Sequence, residues 1–212
     1  MRLSDLARSI PLRVVRDGDF ESLGLLTSQS HRMLSCLHDP AKAGDWTSNE
    51  SVSCVITTED LALSVPEKFA LAVSPAPRET FLDIQVHLGA NTDFYGRDEP
   101  SDVSLDAAIH KGAHVSPHNV RIARGCVVES GAVIMGRVSL AEGVVVRAGA
   151  VVGAEGFHPV PYRDAQRNMP HLGSVSIDRQ AEIGALAVVC RSVFSSPTEI
   201  GEGSVLGPLV YI

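Results

Sequence analysis

The most regular feature of the chain is the spacing of its aliphatic residues. Ile122, Val128, Ile134, Leu140, Val146 and Val152 stand six apart without a break. Two positions before each of them is a small or β-branched residue: Val120, Cys126, Ala132, Val138, Val144 and Ala150. Gly125, Gly131, Gly143 and Gly149 keep the same beat, with Arg137 in the remaining place. Ile109 and Val115 extend the pattern backwards, with one extra residue before Ile122. It resumes at Ile177, Ile183 and Val189 and again at Ile200, Leu206 and Ile212. A period of six fits neither the 3.6 of a helix nor the simple alternation of a strand. It predicts a hexapeptide-repeat parallel β-helix, in which three hexapeptides make one triangular coil of roughly 18 residues. The aliphatic residue points inward and stacks on its equivalents, the small residue two places earlier fits near a tight corner, and the glycines accept corner geometry. One coil cannot bury its own face, so stability comes from stacking, and about five coils fit between residues 103 and 212.

Before residue 103 the pattern is different. Residues 1–90 read as a mixed α/β unit: a short helix over 3–10 with Ser4 as N-cap, β-rich runs at 52–57 and 69–74, and a helix over 77–89 that starts at Pro77 and stops at Gly89. The polar stretch 91–102 reads as a linker. Within the solenoid, 154–173 breaks the ladder with three prolines and mixed charge. Insertions of this kind map to loops on one face and often carry function.

Composition narrows the classes. The chain has 212 residues, 44% of them hydrophobic but only 5% aromatic, so its core must be aliphatic and rich in small residues. A formal charge of −7 without a Lys/Arg cluster argues against nucleic acid as partner. Cys36, Cys54, Cys126 and Cys190 are scattered and show no metal-ligand spacing, so they read as reduced thiols with no metal site. The N-terminus lacks the apolar core of a signal peptide, and no run reaches the roughly 18 apolar residues of a membrane helix. The protein therefore reads as cytoplasmic. The six-residue period accounts for the glycines, which leaves no nucleotide-phosphate fingerprint.

An α/β unit followed by a β-helix that carries "VVGAEGF", a loop and then "PHLGSVSIDRQAEIGA" resembles the UDP-3-O-(3-hydroxyacyl)glucosamine N-acyltransferase family of lipid A biosynthesis. The likeness runs over nearly the whole chain and is specific at 151–157 and 170–185. It implies a small α/β N-terminal domain followed by a left-handed parallel β-helix, assembled as a homotrimer with active sites between subunits. It also implies transfer of a (3-hydroxy)acyl group to the amine of a UDP-linked amino sugar, with a His as general base oriented by an Asp. The donor would be a thioester on acyl carrier protein or coenzyme A, and no bound cofactor is needed.

By the same resemblance, Gly156, Phe157, His158, His171 and Arg191 are candidates for contacting substrate. His171 and His118 are the weak candidates for a base, His118 because "PHNVRIARG" is similar to the family's segment around that group. His110 and His114 read as solvated corner residues. Several positions depart from the family pattern. The stretch matching "VLGPLVYI" continues in the family with Ala-His-Asn, where the His is the base, so the expected base would lie two residues past Ile212. Gly207 and Pro208 stand where the family has Asp-Asn. The uracil-holding aromatics are matched by Cys36 and Lys42, with Trp46 as the only aromatic of that stretch. These departures keep open a non-catalytic trimeric binding or scaffold homologue, or an inactive N-terminal fragment.

Overall fold

The computed structural model describes the backbone of residues 1–42 and 45–212 and the side chains of 1–41 and 47–212. Two compact units emerge. The first comprises Met1–Gly96 with residues 158–170 and 194–196; the second comprises Arg97–Phe157, 171–193 and 197–212.

The first unit is built on a five-stranded sheet. Its strands are β1 (Arg13–Arg16), β2 (Ser22–Leu23), β3 (Met33–Cys36), β4 (Val52–Thr57) and β5 (Ala70–Val73), in the order β1-β5-β4-β3-β2. All neighbours run parallel except β1, which is antiparallel to β5. The central strand β4 is buried along nearly its whole length, as a near-continuous apolar run requires. The helix α1 (Leu3–Leu6) is one turn, shorter than the expected 3–10. Pro11 disfavours helical backbone at Ile10 and turns the chain toward β1. Ser4 is not its cap. Arg2 holds that position, its amide donating to the Asp5 carboxylate at 3.2 Å, while the Ser4 amide donates to Asp17. The second helix, α2 (Pro77–Asn91), starts at Pro77 as expected but runs past Gly89. It ends where the Thr92 hydroxyl donates to the Leu88 carbonyl at 2.7 Å and so satisfies a terminal acceptor.

The second unit is the solenoid. Successive short strands are dealt in turn to three parallel sheets. The first face holds β6 (Asp102–Val103), β9 (Val120–Ile122), β12 (Val138–Leu140), β17 (Val175–Ile177) and β20 (Thr198–Ile200). The second holds β7 (Ala108–Ile109), β10 (Val127–Val128), β13 (Val145–Val146), β18 (Glu182–Ile183) and β21 (Val205–Leu206). The third holds β8 (His114–Val115), β11 (Val133–Ile134), β14 (Val151–Ala154) and β19 (Val188–Cys190), with Tyr211 bridged onto Val188. This is a three-sided coil in which each residue pairs with its equivalent one turn away, as in Val120, Val138 and Val175. The periodic aliphatics and the small residues two places before them form one buried cluster, from Val120 to Ile200. Cys126, Ala132, Val144, Ala150, Ala181 and Ala187 are sealed from solvent, as their corner places demand.

Corners need left-handed backbone. At the corner between second and third faces, Gly131 and Gly149 adopt it at φ +74° and +69°, but so do Leu186 and Leu209 at +59° and +61°. At the corner between third and first faces, Arg137 stands in the glycine's place at φ +66°. The interruption of the ladder falls at that same corner. Part of it forms a hairpin, β15 (Pro159–Tyr162) with β16 (Ala165–Asn168), that belongs to the first unit. There the Tyr162 hydroxyl donates to Asp83 of α2 at 2.7 Å, the Arg163 amide to Glu79, and the Gln85 amide nitrogen to the Pro170 carbonyl at 2.6 Å. Among the described residues no helix is long and apolar enough to cross a membrane.

Candidate functional site

Most residues singled out from the sequence return to one edge of the solenoid, the corner between third and first faces. His118 sits there in the first coil, between β8 and β9. Gly136 and Arg137 follow between β11 and β12, then Gly156, Phe157 and His171 flanking the hairpin between β14 and β17, then Arg191 between β19 and β20. Backbone hydrogen bonds tie these rungs together. The Arg137 amide donates to the Asn119 carbonyl, Val175 to Arg137, Leu172 to Val193 and Arg191 to Ala154. The Arg137 guanidinium also donates to the Leu172 carbonyl.

His171 is the most constrained of the set. Its side chain is buried, and Nδ1 lies 2.7 Å from the Arg191 carbonyl. A carbonyl can only accept, so Nδ1 carries the proton and neutral His171 keeps its lone pair on Nε2. That Nε2 is sealed from solvent and has no hydrogen-bond partner among the described residues, and the same holds for the Nε of the half-buried Arg191. The His171 amide donates to Glu155 at 3.3 Å. Its ring packs against Gly156, where an added Cβ would stand 2.3 Å from Cε1 and 2.8 Å from Nδ1. The glycine of "VVGAEGF" is thus required by the imidazole it faces.

The other candidates are more open. Phe157 is 78% exposed. His158 is exposed in the first unit, its amide donating to the Asn168 side chain at 2.6 Å. His118 is exposed, its amide and carbonyl both engaged by the Ser116 hydroxyl. His110 and His114 are exposed in the first coil, and His110 Nδ1 accepts the Gly112 amide. Gly207 and Pro208 are exposed at the last described corner. Two neighbours of the edge carried no signal in the sequence. The Tyr211 phenol is held above its ordinary range by its hydrogen bond with the Cys190 thiol and by partial desolvation, while the Phe157 backbone acts the other way.

In the first unit, a cavity of about 620 Å³ opens beside β3, lined by Leu26, Thr27, Cys36, Leu37, His38 and Asp39 among others. It coincides with the stretch that the family resemblance assigns to uracil. No Phe, Tyr or Trp side chain lines it among the described residues; the side chains of Lys42 and Trp46 lie outside them. Burial pushes the Cys36 thiol up to about 12, against the opposing charge of Arg78.

No protein-family model matches the chain. Among solved structures, the chain is similar to the acetyltransferase domain of PglB from Neisseria gonorrhoeae FA1090 in complex with acetyl coenzyme A. The two share 16% sequence identity over 86% of this chain and 93% of that one, with a TM-score of 0.23.

Proposed function

We propose that this chain is a diverged N-acyltransferase that moves a (3-hydroxy)acyl group from a carrier thioester to the amine of a UDP-linked amino sugar, as in lipid A biosynthesis. The carrier is acyl carrier protein or coenzyme A. The observation that carries the reading is the convergence of the family-like segments on one solenoid edge: Gly156, Phe157, His171 and Arg191 occupy consecutive rungs there. The cavity beside β3 is the place for the nucleotide, with leucines beside polar side chains on its walls where the family has aromatic rings.

In this reading the solenoid is left-handed and assembles as a homotrimer. The outward positions support the assembly. The second face presents Ala108, Val127, Val145, Glu182 and Val205, and the third His114, Val133, Val151, Val188 and Tyr211. Val205 is 72% and Tyr211 62% exposed in the single chain. The edge between these faces carries Leu186 and Leu209, both exposed in strained left-handed backbone. Threefold packing that points this edge at the axis buries the apolar positions of both faces.

A second reading is favoured by one observation. Gly207 and Pro208 stand where the family has the Asp-Asn that orients its base, and neither side chain can hold an imidazole. A trimeric, non-catalytic binding homologue fits that substitution. The test is to incubate the folded chain with 3-hydroxyacyl carrier thioester and UDP-3-O-acylglucosamine and follow amide formation by mass spectrometry, alongside His171→Ala. Turnover that the variant loses supports the transferase with His171 at its centre. A folded trimer that binds the nucleotide sugar without turnover supports the binding homologue.

A further inference from the structure

The first face of the solenoid differs from the other two. Its outward row, read across paired strands, is Asp102, Arg121, Ser139, Ser176 and Glu199, polar at every rung. A shallow groove of about 370 Å³ runs along it, with Glu99 at its rim and Asp102, Arg121, Ser139 and Ser176 on its floor.

The groove leaves its charges open. At two other places in the solenoid, charges on adjacent rungs close into ion pairs. Arg124 meets Glu142 at 3.0 Å, and Arg147 meets Glu129 at 2.8 Å and Glu182 at 2.7 Å. Asp102 and Arg121 also lie on adjacent, paired strands, yet no ion pair joins them, and the Ser139 and Ser176 hydroxyls have no hydrogen-bond partner among the described residues. The groove therefore offers unused acceptors (Asp102, Glu99) beside unused donors (Arg121) and hydroxyls that can do either.

Charge selects the ligand class. Glu99 and Asp102 balance Arg121 and Arg137 in the lining, so an anion gains no net attraction. An alcohol donates to a carboxylate and accepts from a guanidinium at once, and a polyol offers several such groups to side chains carried on rungs about 4.8 Å apart. We propose that this groove is a carbohydrate-binding site for a neutral saccharide, held by Asp102 and Arg121 with Ser139 and Ser176 beside them. It adjoins the edge that carries His171, with Arg137 common to both, and does not depend on acyl transfer.

The experiment is ligand-observed saturation-transfer NMR on the full chain, with methyl glucoside and N-acetylglucosamine as probes and inorganic phosphate as the anion control. Binding near about 1 mM is expected for the saccharides, the range of a few hydrogen bonds at an open surface. Arg121→Ala and Asp102→Asn should each weaken it about tenfold, the loss of one charge-assisted hydrogen bond. Arg124→Ala, which removes a paired arginine outside the groove, should leave it unchanged. Both groove positions are exposed, so these variants keep the fold. Absence of saccharide binding, binding that survives both groove variants, or Arg121-dependent binding of phosphate instead would each overturn the proposal.

Discussion

Gly156→Ala is the sharpest perturbation the candidate edge allows. Gly156 is not among the glycines with positive φ, so its backbone accepts alanine and the whole cost falls on the His171 ring. The new Cβ would stand 2.3 Å from Cε1, 2.8 Å from Nδ1 and 3.1 Å from Nε2. The ring cannot slide aside while Nδ1 stays on the Arg191 carbonyl at 2.7 Å. Either the neighbours are overpacked, at about 1–3 kcal/mol, or the ring leaves, giving up a hydrogen bond worth about 1 kcal/mol together with its burial.

His171→Ala has a smaller expected effect. It loses the bond to the Arg191 carbonyl and leaves a void, but it also removes a sealed, unpartnered Nε2, whose presence costs about 1–3 kcal/mol. In the double variant the methyl group introduced by Gly156→Ala fills space the ring has vacated, so the two changes should offset by about 1–2 kcal/mol. For a chain of this size that is a recovery of roughly 2–8 °C in the solenoid's melting temperature. Thermal unfolding of the wild type, both single variants and the double closes the cycle. Effects that add to within about 0.5 kcal/mol would refute the contact between glycine and imidazole.

Other outcomes follow from single features. Leu186→Gly should stabilise the isolated chain by about 0.5–1 kcal/mol by relieving left-handed backbone; it should also weaken self-association measured by sedimentation if that edge faces a threefold axis. Arg147 holds Glu129 and Glu182 below the ordinary carboxylate range through hydrogen bonds to both. A depressed folded value means their contribution is present above the unfolded value of about 4.3 and is lost as pH falls through the folded value. The stability difference between wild type and Arg147→Ala, measured by urea unfolding across pH, should therefore be flat near neutrality, shrink in acid and shrink with salt. Burial pushes Cys36 up to about 12 and Cys54 up to about 11, so both should resist maleimide at about pH 8 in the folded chain and react on unfolding; fast labelling of the native protein would contradict this.

The solenoid was legible because its inward residues repeat under one constraint. Each coil must bury an aliphatic residue on the one below, and the period survives from Ile109 to Leu206 through the hairpin. Helix ends were less legible because tertiary contacts decide them. Gly89 is a favourable stop, but the Thr92 hydroxyl caps the helix beyond it, and Ser4 lost its cap role to the pairing of Arg2 with Asp5. At the candidate edge the sequence pointed to Gly156, Phe157, His171 and Arg191 through family-like segments, but the reason for Gly156 is the ring packed on it. Tyr211, Cys190 and the unpaired Asp102 and Arg121 had no signal, because each depends on which outward position neighbours which across a coil.

The same arithmetic explains why chemistry collects on the outside of this fold. The six-residue period fixes one inward residue and one corner residue per strand and leaves the outward position between them free. Pairing then sets outward residues that are 18 or more positions apart in the chain side by side, as Asp102 with Arg121 or Val133 with Val151. Each face can take its own character without touching the core: apolar on the second and third except at Glu182 and His114, polar and incompletely paired on the first. Substituting outward residues should therefore change association or ligand binding while leaving solenoid stability nearly constant, whereas shortening an inward residue such as Ile134→Ala should cost about 2–5 kcal/mol and disturb all three faces together.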